Sequence, residues 1–368
     1  MKNHVMIDGH RTSISTHFSP GGELILERKG IKSIRDIRGL NNLRAFDSLY
    51  LGFNEISRIE GLTHLPDVEW LSLRHNQITR IEGLGDLPNL VSLHLGNNQL
   101  SVIENLEVLP ALKHLTLNDN QIEEISGLDT LHGLELLDLS GNLIREIKGL
   151  CENTVLKELS LYNNRLTRIQ GLDALENLRK LNLTQNHIKS IENLDHQDSL
   201  ELLYLSKNEI QRIEHLDYLH SLVKLHLANN KISRIEHLDS LEKLQELYLS
   251  WNRITGLHDL GGLKRLQRVA LNHNSIRTVD ISRELPNLRS LDLSHNQIEE
   301  ITGFHGMEQL KVVNLSNNHL HSIDGLEQLE SLEWINLEHN DLATMDGLQH
   351  ISKGARVKLE GNPVTKKE

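Results

Sequence analysis

The chain has 368 residues, is 38% apolar but only 3% aromatic, and carries a net charge of −12 from 51 acids and 39 bases. Twelve Phe, Trp and Tyr residues cannot fill the core of one or two ordinary globular domains of this size, so the composition points to an architecture packed by Leu and Ile. The acidic balance argues against general binding to nucleic acid or anionic membranes, and the single cysteine, Cys151, excludes an internal disulfide.

The first segment, residues 1–18, is polar and lacks the apolar stretch of a secretory signal, and no apolar run in the chain is long enough to span a membrane. With one cysteine, this predicts a soluble protein of a reducing, cytoplasmic compartment. Residues 1–22 read as an N-terminal cap: Asp8-Gly9 lies between alternating segments as in a hairpin, and Pro20-Gly21-Gly22 marks the next turn. Leu24, Leu26, Ile31, Ile34 and Ile37 then open a degenerate 25-residue repeat in which Lys29 stands at a position that later repeats give to asparagine.

From Asn54 onward that asparagine returns every 22 residues without insertion or deletion, at Asn76, Asn98 and Asn120 and so on to Asn362, giving 15 repeats. The array therefore spans residues 23–362, followed by a charged tail at 363–368. Each repeat reads LxxLxLxxNxIxxIxxLxxLxx. The xLxL segment alternates as a strand does, while the later spacing of three suits 3₁₀ turns better than an α-helix. No repeat can bury its apolar face alone, so neighbours must stack into one shared core. An asparagine amide, with two donors and an acceptor, can satisfy backbone groups of its own and adjacent repeats at a buried turn. The repeat after Asn274 departs most, with Ile281-Ser282 where others commonly have Gly-Leu, and a different turn is expected there. Pro363, with Arg356, Lys358 and Glu360, is expected to blunt the last strand edge.

This pattern resembles the leucine-rich-repeat family, and the constant 22-residue length resembles the class typified by the regulatory subunit of type-1 protein phosphatase. The resemblance implies an α/β solenoid curved as a horseshoe, with a parallel β-sheet on the concave face and 3₁₀ turns on the convex face. It further implies a non-enzymatic scaffold or adaptor that binds a protein partner on the concave face, with a regulatory, phosphatase-linked role as one candidate. The C-terminal cap of several members of that class is missing here.

Packing fixes the inward columns, so specificity can reside only in residues six, four, two and one before each asparagine and one after it. Eight of the twelve aromatic residues fall there: Tyr50, Phe53, Trp70, Tyr162, Tyr204, Tyr248, Trp251 and Trp334. Large rings on a solvated sheet face favour binding over packing. Tyr50, Phe53 and Trp70, next to His75, form one cluster. Tyr204, His226 and Tyr248 share a column on successive strands, with Trp251 nearby. Around them Lys180, Lys207, Lys224, Lys231, Arg253 and Arg268 outnumber Glu209 and Glu246, which points to an acidic or phosphorylated partner. An aromatic column with basic flanks also suits single-stranded nucleic acid, an alternative opposed by the acidic field.

His215, His237 and Asp259 share another column, with His258 adjoining, and His273 and His295 form a further pair, so metal binding is a second alternative. The stronger expectation is that these are surface turn residues and that no cofactor or metal is bound. A column of Glu and Asp, including Glu82, Glu104 and Glu236, is offset by Arg58, Arg80 and Arg212 as a solvated edge. No phosphate loop, nucleophile elbow, HExxH or CxxC motif is present, so the chain reads as a monomeric, non-enzymatic module.

Overall fold

The structure, a computed structural model, describes residues 4–7, 10–13, 22–40, 43, 46–257, 260, 262–281, 285–304, 306–326, 329–344, 346–348, 351 and 354–366. It falls into two bodies, Met1–Asn182 and Leu183–Glu368.

In the N-terminal body, His4–Ile7 pairs antiparallel with His10–Ser13, as a hairpin requires. Asp8 and Gly9, which join them, and the Pro20-Gly21 turn lie outside the described residues. Parallel three-residue strands follow in chain order from Glu23–Ile25 to Lys180–Asn182, each in register with the next, as in Leu49↔Leu71 and Leu71↔Leu93. The C-terminal body repeats the arrangement from Leu202–Tyr204 to Arg356–Lys358. The middle residue of nearly every strand is buried and most of its neighbours are more exposed, Ser72, Ser92 and Asn336 excepted, so alternation in the sequence becomes inside and outside.

The return segments are 3₁₀-type turns, as the spacing of three predicts. The Leu87 N–H donates to the Leu84 carbonyl at 3.0 Å and the Leu90 N–H to Leu87 at 3.1 Å, both i to i−3, and the same chain of bonds runs through Leu216, Leu219 and Leu222. The core is almost wholly Leu and Ile; Phe46 and Phe304 are the buried aromatic residues among those described. The departure after Asn274 is real and has a physical shape. Thr278–Val279 is extended and pairs in parallel with Glu300–Ile301, a short second sheet beside the return turn. Ser282 lies outside the described residues. Pro363–Lys366 forms a short 3₁₀ turn rather than a plain tail.

The asparagine column is a ladder of side chain to backbone bonds. Asn208 donates from Nδ2 to the carbonyls of Leu205 in its own repeat and Leu183 in the preceding one, each at 3.0 Å, and its Oδ1 accepts the Ile188 N–H at 3.0 Å. Asn98 makes the same set with Leu95, Leu73 and Ile78. The arginine and glutamate columns also mesh, but across repeats: Arg80 reaches Glu104 at 2.9 Å, Arg58 reaches Glu82 at 3.5 Å and Arg212 reaches Glu236 at 3.1 Å. The Arg80 hydrogen bond holds the Glu104 carboxyl below its usual range.

Candidate functional site

Two columns of the repeat share an unusual backbone. The residue just before each asparagine has positive φ in every repeat, from Phe53, His75, Asn97 and Asp119 to Lys207, Asn229, Trp251, His273 and His295. The ladder holds this geometry, as when the Trp251 N–H donates to the Asn272 carbonyl at 2.9 Å. A left-handed conformation suits Gly, Asn, Asp and His and disfavours bulky side chains, so Phe53, Gln185, Lys207 and Trp251 are the residues that conformation does not explain, and Phe53 and Trp251 are the aromatic ones. Sequence reasoning missed this constraint, although Asn, His, Gly and Asp recurring in one column is its signal.

In the C-terminal body the predicted rings meet. Register places Tyr204, His226 and Tyr248 side by side, and His226 stacks between the tyrosines, with centroids 4.6 Å and 4.2 Å away. Burial of the imidazole pushes its pKa down, against the pull of Glu246, so the ring is a neutral stacking element at neutral pH. The Tyr248 hydroxyl donates to Glu246 at 2.8 Å; burial and this bond raise its pKa. Beside this row, Trp251 stacks on His273 at 3.8 Å and His273 on His295 at 4.1 Å, while Trp251 remains 53% exposed. Trp334 lies in register with the exposed Val312, apart from these rows.

The basic surround is less positive than its residue count implies. Lys224 binds Glu246 at 2.9 Å and Lys231 binds Glu209 at 2.9 Å. Burial works to raise the Glu246 carboxyl, but bonds from Lys224 and Tyr248 outweigh it and hold it low. Lys180 belongs to the N-terminal body, where Glu158 neutralises it at 3.2 Å. Lys207 and Arg253, both exposed, have no carboxylate within ion-pair reach among the described residues.

In the N-terminal body Phe53 stacks on His75 at 4.2 Å and lies under two guanidinium groups, Arg28 at 4.7 Å and Arg74 at 5.2 Å, the latter also paired with Glu27. Trp70 leaves Tyr50 and Phe53 and stacks instead on His94 at 4.3 Å. Burial, with His114 and Arg74 nearby, depresses the His94 pKa to about 4. Tyr50 approaches Glu23 at 3.5 Å, and Tyr162 is 37% exposed on the same face.

The histidine column has a conformational cause. His215 and His237 have φ of 55° and 56°, at a position occupied elsewhere by Gly83, Gly127, Asn105 and Asn193, all left-handed. His258 and Asp259 lie outside the described residues. No group of three His, Cys, Asp or Glu that could hold a metal converges among those described, and no helix among them is long and apolar enough to cross a membrane.

Stacked parallel strands, 3₁₀ returns and an asparagine ladder define a leucine-rich-repeat solenoid. The family model described as "Leucine Rich repeats (2 copies)" matches residues 66–109, 110–152, 154–196 and 198–240, and "Leucine rich repeat" matches 243–298 and 300–342; the chain belongs to this family. A comparison with curated proteins returned no match. Among solved structures, an internalin from Listeria monocytogenes is similar at 28% identity and a TM-score of 0.69, over 77% of this chain and 85% of that one. A leucine-rich-repeat protein from Leptospira interrogans is similar at 26% identity and a TM-score of 0.61, over 94% and 91%. The Drosophila Toll–Spatzle complex, at 21% identity and a TM-score of 0.72 over 91% of this chain and 53% of that one, shares the fold.

Proposed function

We propose that this protein is a non-enzymatic interaction scaffold whose open sheet face binds a partner protein, centred on Tyr204, His226, Tyr248 and Trp251. Leucine-rich-repeat proteins generally act as protein-binding scaffolds. The observation that carries the reading here is the exposed Trp251 ring, set on a left-handed backbone beside a preformed row of three stacked rings. Rigid aromatic area on a solvated face offers binding energy at little entropic cost. Lys207 and Arg253, uncompensated, favour an acidic or phosphorylated partner surface. Within the C-terminal body Trp334 is a further candidate contact, and within the N-terminal body Tyr50, Phe53, Trp70, Tyr162 and Lys180 are candidates of their own. A regulatory role of the phosphatase-subunit kind and a cytoplasmic site of action, suggested by repeat length and by a lone, exposed Cys151, belong to the same proposal.

The test is affinity capture with the wild type and a Tyr204→Ala/Tyr248→Ala/Trp251→Ala variant, both shown to be folded by circular dichroism. The variant is expected to lose specific partners that the wild type retains. An identical captured set from a folded variant would refute the central site.

A further inference from the structure

We infer that the open side of Trp251 seats a phosphotyrosine side chain presented by a partner polypeptide. This rests on the interaction-face reading above and names what that face recognises. The ring is not where backbone preference would put it: Trp251 has φ of 58°, in a column that Asn229, Asn317 and Gly141 occupy without steric cost. An indole kept in that conformation packs on His273 and still leaves 53% of its surface exposed.

The neighbours then decide what the ring can hold. His273 covers one face of the indole at 3.8 Å, nearly parallel at 13°, and His295 buttresses His273 in turn. On the other side the same column holds Asn229, which offers no ring to cover the second face, and Trp251 stays 53% exposed. Two exposed cations lie in the repeat columns around Trp251. Arg253 lies two residues along the chain. Lys207 lies two strands back, about 10 Å away at the ordinary strand spacing, within reach of its long arm. Of the carboxylates in adjoining columns, Glu209 is engaged by Lys231, Glu246 by Lys224, and Asp292, which acts on His273, by Ser294.

A group that satisfies all of this brings a flat ring for the indole and an anion beyond the ring for the ammonium and guanidinium groups. Aspartate, glutamate or phosphoserine brings the anion without the ring. Unmodified tyrosine brings the ring without the anion. A nucleic-acid strand brings both but also carries a run of further phosphates to a chain of net charge −12.

The experiment titrates the full chain into fluorescein-labelled Gly-Ser-Gly-phosphotyrosine-Gly-Ser-Gly, with tyrosine and phosphoserine versions as controls, and reads anisotropy. The phosphotyrosine peptide is expected to bind at least tenfold more tightly than either control. Trp251→Asn, which relieves the backbone, should abolish that preference without lowering the melting temperature, and Lys207→Ala/Arg253→Ala should weaken binding about tenfold. Equal binding of phosphotyrosine and phosphoserine, survival of the preference in Trp251→Asn, or no binding of the phosphotyrosine peptide by the wild type each overturns the inference. If the peptides fail while the triple-alanine variant still loses its captured partners, the phosphotyrosine seat is wrong and the interaction face stands. If capture is also unchanged, both fall.

Discussion

Phe53 and Trp251 occupy the same position of their repeats, on the same left-handed backbone, yet one is clasped and the other is open. Phe53 has His75 stacked against it and Arg28 and Arg74 over its ring. Trp251 has His273 on one face only. The second tryptophan of the N-terminal body, Trp70, turns onto His94, and its Nε1 has no solvent access. The contrast shows that an aromatic residue on a repeat face is not a binding site by identity. Its neighbours one repeat away decide whether it is covered or left exposed.

The comparison can be broken first at the framework, which the two bodies should share. Asn98→Leu and Asn208→Leu each strand the backbone groups the amide serves, and each is expected to cost roughly 1–3 kcal/mol in urea unfolding. Unequal losses would mean that the two bodies differ in more than their surface rings. Next come the tryptophans. Trp70→Ala should destabilise by ~2 kcal/mol, because a covered ring is lost, whereas Trp251→Asn should leave the urea midpoint unchanged or raise it. The opposite order would reverse the assignment of closed and open rings.

Acid provides a third lever. The His94 pKa falls from 6.5 to about 4 on folding, so the unfolded chain binds the proton first. Stability carried by neutral His94 is therefore complete above pH 6.5 and is lost as pH falls toward 4. His94→Gln should flatten the pH dependence of the melting temperature between 6.5 and 4. His273 is shifted in the same direction, by burial and by His295, but less far. His273→Gln should accordingly flatten the curve less. The smallest effect belongs to the exposed Arg80–Glu104 pair: Arg80→Ala is expected to melt indistinguishably from the wild type.

The repeat, its inward columns and the asparagine ladder were legible in the sequence because each is dictated one repeat at a time. Leu203 and Leu205 face inward for the same reason that Leu225 and Leu227 do. The row of Tyr204, His226 and Tyr248 was legible too, since a constant period fixes register. The charge around it was misjudged. A net count over the window includes Glu209 and Glu246 but omits Glu158, one strand outside it, which pairs with Lys180, and a sum does not show that Glu246 sits opposite Lys224 in register and binds it. Tyr50 and Trp70 do lie on adjacent strands, as the period predicts, but the indole packs toward the following strand, onto His94. The left-handed columns were overlooked because they show only when residues are read down the stack.

The asparagine ladder also bears on how the chain comes together. Among the described residues within each body, these side chains bond their own repeat and the one before it, as Asn98 does with Leu95 and Leu73. Cohesion within each body is therefore nearest-neighbour, and its unfolding should resemble the melting of a one-dimensional array more than the collapse of a single core. Under strand-by-strand hydrogen exchange, the end repeats of a body should open at lower free energy than its middle ones, and a substitution such as Asn208→Leu should act as a local weak point from which opening spreads.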